Sequence, residues 1–453
     1  MKRYLKIILI IILIFIFTFL SNNSKNSNEI ILHDEIKIDH YLCPMDDCYD
    51  YFSNMNFSNG LCYFYSIDEF GRDLLKDGVY ELTIKGYNEH SDIDGVKQLR
   101  TNHQMHLKIC FLDNKTITGS LNPTYNGFFS QTNDFLVIDS YELKTNLKSS
   151  LKNAFKKCKN SRSQDLKSVS CLKENLPNFR TVDDSFEILF SNFENILIKE
   201  FNSSNEVNFI LFYFNLEDLF NSIKDKTNFR LLNSGSNHLI LNNENKENFN
   251  LINEIVIHNK LFFTNNVTIT GSFNPTNNGN YRNLENLIII RNNSLFNDKN
   301  QIKRYDDLTN YVDFIENLSL DDKYLNKSFI EIDKPNKALI SELIFDCPDN
   351  FNNQFNNSSD GCEYLKINSS ENVFGYKIFI TYQFRGKNYS RKENINSKIH
   401  QTDIFVKRDA KIILLDRKYN VLDVLNYYGN DSEKLIKRKI KNNKIIRKIN
   451  SLN

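Results

Sequence analysis

One stretch of this chain is written twice. "HLKICFLDNKTITGSLNPTYNG" begins at His106 and "HNKLFFTNNVTITGSFNPTNNG" begins at His258. The two histidines are 258 − 106 = 152 residues apart and Gly119 and Gly271 are 271 − 119 = 152 apart, so neither copy carries an insertion. A repeat that strict asks for two similarly built bodies in one chain. The 453 residues leave room for them, because one hydrophobic core seldom organises so long a chain. With 40% hydrophobic and 25% charged residues the chain is globular, and a net charge of +1 selects no class of partner.

Within each copy the side chains alternate. Met105, Leu107 and Ile109 fall on one face of an extended segment, which leaves His106 and Lys108 together on the other. "DNK" reads as a hairpin turn, and "TITGSLN" returns as a second strand carrying Ser120 and Asn122 back toward the histidine and lysine. His258, Lys260, Ser272 and Asn274 repeat the arrangement. An imidazole, an ammonium, a hydroxyl and an amide held together are donors suited to a phosphate group.

These residues resemble the phospholipase D superfamily, whose motif is HxKxxxxDxxxxxxGSxN. The first copy matches throughout, as His106, Lys108, Asp113, Gly119, Ser120 and Asn122; the second has Asn265 where the family has Asp. Glu285 supplies the acid that follows the motif in many members, and Asn133 stands at the equivalent place in the first copy, with Asp134 beside it. The resemblance spans about residues 40–320. It implies an α/β fold of two pseudo-two-fold related lobes, 40–145 and 179–320, each a mixed sheet flanked by helices, with a linker over 146–178. Both motifs then meet in one cleft, and no oligomer is required.

The implied chemistry is hydrolysis of a phosphodiester through a phosphohistidine, with one histidine as nucleophile and the other as acid. His258 is taken as the nucleophile. Catalysis falls to His106, Lys108, His258, Lys260 and Glu285; Ser120, Asn122, Ser272 and Asn274 hold the phosphate; Asp113 and Asn265 support the turns. No cofactor and no metal is implied, since the lysines supply the electrostatics. The substrate expected is nucleic acid, with membrane phospholipid or cardiolipin as the alternative and an inactive phosphate-binding homologue as the second alternative.

The flanking segments add location. Lys2, Arg3 and Lys6 precede an unbroken apolar run from Ile7 to Leu20, so 1–22 is a signal peptide or a signal anchor, and the rest is exported, with a possible membrane tether through residues 7–20. Export makes the eight cysteines readable as disulfides, Cys43 with Cys48, Cys158 with Cys171, and Cys347 with Cys362. Cys62 and Cys110 sit in apolar runs and read as small hydrophobes. A zinc site from His40, Cys43, Cys48 and Cys62 lacks any paired C-x2-C spacing. Residues 337–430 read as short strands of an immunoglobulin-like β-sandwich that resembles a lamin-tail domain. The end, 431–453, has eight Lys or Arg against one acid after Ser432 and reads as a solvated basic tail whose partner would be a polyanion.

Overall fold

The computed structural model describes residues 29–320 and 338–451, apart from 47, 58–59, 75–99, 161–162, 227–229, 234–249, 253–255, 299, 345–363, 371, 374, 385–386, 396, 402–409, 417–420, 428–433 and 442–443. The N-terminal apolar run and the pair Cys347 and Cys362 therefore lie outside the described residues.

Each copy of the repeat builds an antiparallel hairpin. In the first, Ile109–Leu112 turns at Asp113 and Asn114 into Lys115–Gly119; in the second, Lys260–Phe263 turns into Thr268–Gly271. The first hairpin lies in a six-stranded sheet between Leu61–Tyr63 and Gln131–Asp139. The second lies in a nine-stranded sheet between Asn208–Leu211 and Leu287–Ile290. The architecture is mixed α/β. His106 and Lys108 are not in the strand, as alternation suggested, but in the extended lead-in to it; Leu107 and Ile109 are nevertheless fully buried, so the two-face alternation holds.

The lead-in of each motif pairs with the other body. His106 N–H donates to Leu284 O at 2.8 Å and His258 N–H donates to Thr132 O at 2.8 Å; 132 + 152 = 284. The second lead-in, Val256–Ile257, joins the six-stranded sheet, the first makes an isolated bridge at Leu284, and a single core holds Leu107, Ile109 and Leu136 together with Ile188, Leu284 and Ile288.

The segment read as a linker is part of that core. Tyr141–Lys157 is a helix capped by Ser140, whose hydroxyl accepts from Leu143 N–H, and Leu143, Leu147 and Leu151 recur every fourth residue on its buried face. Cys158 and Cys171 form a disulfide between it and the helix Val169–Asn175. Glu29–Leu32 lies parallel to Asn178–Thr181 at the edge of the nine-stranded sheet.

Cys43 and Cys48 are bonded as read from their spacing. Cys62 and Cys110, read as free, are bonded too: they face each other directly on adjacent antiparallel strands, with Cα atoms 4.0 Å apart. Strand pairing joined them across 48 residues of sequence, which spacing could not show. The zinc reading ends here, because its cysteines are all spent and His40 bonds Gln301 and Asp134.

Beyond the helix Gln301–Leu320, a five-stranded and a four-stranded sheet, each antiparallel, enclose a core of Ile340, Leu343, Leu365 and Ile367 from one and Ile378, Ile380, Ile412 and Leu414 from the other. This sandwich rests on the first motif: Tyr125 Oη donates to Ile395 O at 2.9 Å, and Asn394 Nδ2 donates to Ser130 Oγ at 2.8 Å. The basic end is not a loose tail. Lys434–Lys441 and Lys444–Ser451 form a hairpin that adds to the strand Ala338–Ile344.

Candidate active site

In each hairpin the returning strand ends in a glycine that lets it approach the next strand of its own sheet closely. Gly119 has φ +155° and Gly271 φ +137°, and a Cβ on either would lie 2.4 Å from the carbonyl of Asp134 or Asn286. Past these glycines the backbones of Ser120 and Ser272 lie beside His258 and His106 respectively.

His106 is held by the second body. Its Nδ1 is 2.8 Å from Glu285 Oε2 and 3.0 Å from Ser272 O, two acceptors, so the proton is on Nδ1 and the Nε2 lone pair is free. His258 is held by the first body: its Nδ1 is 2.7 Å from Asn133 Oδ1. The Asn133 amide is fixed in that sense because its Nδ2 donates to Gly127 O at 2.8 Å. The supports are equivalent, since 133 + 152 = 285, yet one is a carboxylate and the other a neutral amide. The neighbouring positions are exchanged as well. Asp134 takes bonds from Ser120, Asn259, Thr270 and His40, whereas its counterpart Asn286 donates to Thr118 Oγ1 at 2.9 Å.

Lys108 and Lys260, each 1% exposed, donate to the carbonyls of their own histidines at 2.8 and 2.5 Å. Burial brings Lys108 down to about 7 and Lys260 well below the usual lysine range, with Lys108 pushing Lys260 further. His106 is lowered by burial, against which Glu285 works and to which Lys108 adds. His258 is lowered well below its usual range by burial, then by Lys260, Lys108 and His106. Lys260 acts on His106, and Lys108 acts on His258 and Lys260, so the two motifs share one site, to which Glu285 and Asp134 bring carboxylates. Burial acts against the charge of Asp134, but His40, Thr270 and Ser120 outweigh it and hold the carboxylate low.

The remaining sequence candidates fall in three groups. Asn122 and Asn274 each keep a buried Oδ1 without a hydrogen-bond partner among the described residues. Ser120 and Ser272 do not aim at a phosphate: Ser120 Oγ donates to Asp134 Oδ1 at 2.7 Å and Ser272 Oγ to Glu285 Oε2 at 2.8 Å. Asp113 and Asn265 are exposed at the hairpin turns, Asp113 with φ +42°. The second turn is closed by Thr264 Oγ1, which accepts from Asn266 and Val267 N–H, rather than by Asn265.

Sequence reading missed two rings. Tyr65 lies 4.7 Å from the His106 ring and 5.4 Å from Lys108 Nζ; Phe212 lies 5.1 Å from the His258 ring and 5.3 Å from Lys260 Nζ. The aromatic runs "YFY" and "FYF" that end both neighbouring strands were the available signal. Lys173 also comes near, donating to Asn280 O at 3.0 Å; burial lowers its pKa while Glu285 raises it.

No family model matches the chain, and no curated protein does. Among solved structures, polyphosphate kinase from Porphyromonas gingivalis aligns with a TM-score of 0.40 and 7% identity over 61% of this chain and 50% of that one. Phosphatidylserine synthase from Haemophilus influenzae Rd KW20 aligns with 0.43 and 9%, over 64% and 89%. Nuc from Salmonella typhimurium, a phospholipase D family member, aligns with 0.22 and 17%, over 24% and 83%.

Proposed function

We propose that this chain is a phosphodiesterase that works through a phosphohistidine, with nucleic acid as substrate. The observation that carries the proposal is the reciprocal support of two HxK pairs in one site, His106 on Glu285 and His258 on Asn133. The phosphodiester anion favours the ammonium forms of Lys108 and Lys260, which with Asn122 and Asn274 hold the non-bridging oxygens.

The unequal supports divide the work. His106 Nε2 attacks phosphorus, its imidazole becomes cationic, and the Glu285 carboxylate stabilises that charge. The bond to the leaving oxygen breaks as that oxygen takes the proton from His258 Nε2. A neutral amide on Nδ1 leaves the His258 imidazolium the more acidic of the two, as a proton donor to an alkoxide requires. Water then enters, His258 removes its proton, hydroxide attacks phosphorus, and the P–N bond breaks to return neutral His106. This reverses the assignment of His258 as nucleophile drawn from sequence, which had no view of which carboxyl reached which ring.

In this reading the lobes 40–145 and 179–320 are related by a pseudo-two-fold axis through the site, the C-terminal sandwich is a lamin-tail-like accessory module, and the protein is exported. The test is incubation with labelled single-stranded DNA, RNA and mixed phospholipid vesicles, with and without chelator. Cleavage of nucleic acid that survives chelator is expected. Release of headgroups alone would move the substrate to lipid, and activity restored only by magnesium would sink the lysine-based mechanism.

A further inference from the structure

Tyr65 and Phe212 occupy the same place in the two halves. Tyr65 is two residues beyond Tyr63, which pairs with Ile109; Phe212 is two residues beyond Ile210, which pairs with Leu261; and 109 + 152 = 261. Both rings lean on a histidine and cover a lysine, yet they are half-buried where the ammonium groups they cover are 1% exposed. Each therefore offers surface of its own beside the reacting atoms. On the His258 side that surface is extended by Tyr213, 37% exposed, whose ring centroid is 4.0 Å from that of Phe212.

A phosphodiester has two organic groups, one on either side of phosphorus, and the site has one aromatic ring on either side. We infer that Tyr65 and Phe212 are specificity-determining residues that each take a nucleobase flanking the scissile phosphate, Phe212 with Tyr213 on the leaving nucleoside and Tyr65 on the nucleoside that keeps the phosphoryl group. The side follows from the histidines: the leaving oxygen must meet His258, which Phe212 touches, and the phosphoryl group is transferred to His106, which Tyr65 touches. Planar bases match planar rings whatever their sequence, because every base has a π-face and none needs an edge read by hydrogen bonds. This inference rests on the phosphodiesterase reading above and names its substrate class.

The test uses a set of four thymidine dinucleotides, with both bases, with the 5′ base only, with the 3′ base only, and with neither, the missing bases replaced by abasic residues. Product analysis shows which end keeps the phosphate and so which side is leaving. One stacked base is expected to raise kcat/KM about 5- to 150-fold over its abasic counterpart. Phe212→Leu should erase the preference for a base on the leaving side alone, and Tyr65→Leu that on the phosphate-retaining side alone. Tyr65→Phe and Phe212→Tyr should keep both preferences, which separates a stacking ring from one needed for folding. A wild-type enzyme that cleaves all four dinucleotides equally overturns the inference and leaves the phosphodiesterase reading standing. Variants that weaken both sides together overturn it as well, by reducing the rings to packing. If the wild type cleaves neither the dinucleotides nor bis(p-nitrophenyl) phosphate, the phosphodiesterase reading falls and this inference with it.

Discussion

Glu285→Gln isolates what the carboxylate gives His106. The Nδ1 to Oε2 separation is 2.8 Å, with the two side chains 6% and 0% exposed, so little water screens the pair. A hydrogen bond to a charged group contributes about 1.5–3 kcal/mol and a neutral one about 1. Glutamine can still accept from Nδ1, as Asn133 does for His258, so the loss is about 0.5–2 kcal/mol of transition-state stabilisation. That predicts phosphohistidine formation about 2- to 30-fold slower. The pH dependence has a definite sign. Burial is the larger effect on His106 and lowers it, while Glu285 works the other way. Removing the carboxylate lowers His106 further, so the acid limb of the profile moves to lower pH while the plateau drops. The assay is the burst of p-nitrophenol from a p-nitrophenyl phosphodiester, followed across the acid range, with the trapped phosphopeptide mapped by mass spectrometry. An unchanged plateau, an acid limb that moves up, or a phosphoryl group on His258 would refute the reasoning.

Lys108→Met should abolish turnover with little change in stability, because the cost of burying an ammonium is removed while the His106 carbonyl it bonded is left bare; a melting midpoint that falls by many degrees would contradict this. For kcat/KM on a p-nitrophenyl phosphodiester, whose leaving group needs no proton from His258, the alkaline limb should lie near the value of about 7 set for Lys108 by burial, as the free enzyme loses that ammonium with rising pH, although the apparent value belongs to the coupled group; a plateau extending well above that pH would argue against it. Folding stability should fall as pH drops below the ordinary histidine value of about 6.5, since His106 and His258 are depressed when folded and the unfolded chain binds their protons first; denaturant midpoints that rise on acidification would contradict this. Asn265→Ala should change stability by less than about 0.5 kcal/mol, whereas Thr264→Ala should cost about 1 kcal/mol, as the turn bonds are made by the threonine; equal costs in urea unfolding would refute that assignment. Replacing Cys62 and Cys110 together by alanine should cost about 4 kcal/mol through a bridge that closes 48 residues of chain; mass spectrometry showing both as free thiols would remove the basis of the estimate.

The sequence by itself determined the two hairpins and the pairs they deliver. A period of two is a local property of a strand, so the core side of Leu107 and Ile109, and with it the side left to His106 and Lys108, followed from alternation alone. The disulfides Cys43–Cys48 and Cys158–Cys171 were legible for a similar reason, being close in sequence. Only the tertiary structure decided which partner each group meets. Glu285 and Asn133 reach the histidines of the opposite motif, through contacts made 179 and 125 residues apart, and no local pattern carries that information. The same holds for Cys62 with Cys110, joined by strand order, and for Tyr65 and Phe212, brought to the site because their strands lie next to the motif strands. Ser120 and Ser272 show the converse limit. Their presence in the motif was plain, but a hydroxyl can donate only once, and packing set a carboxylate within its reach.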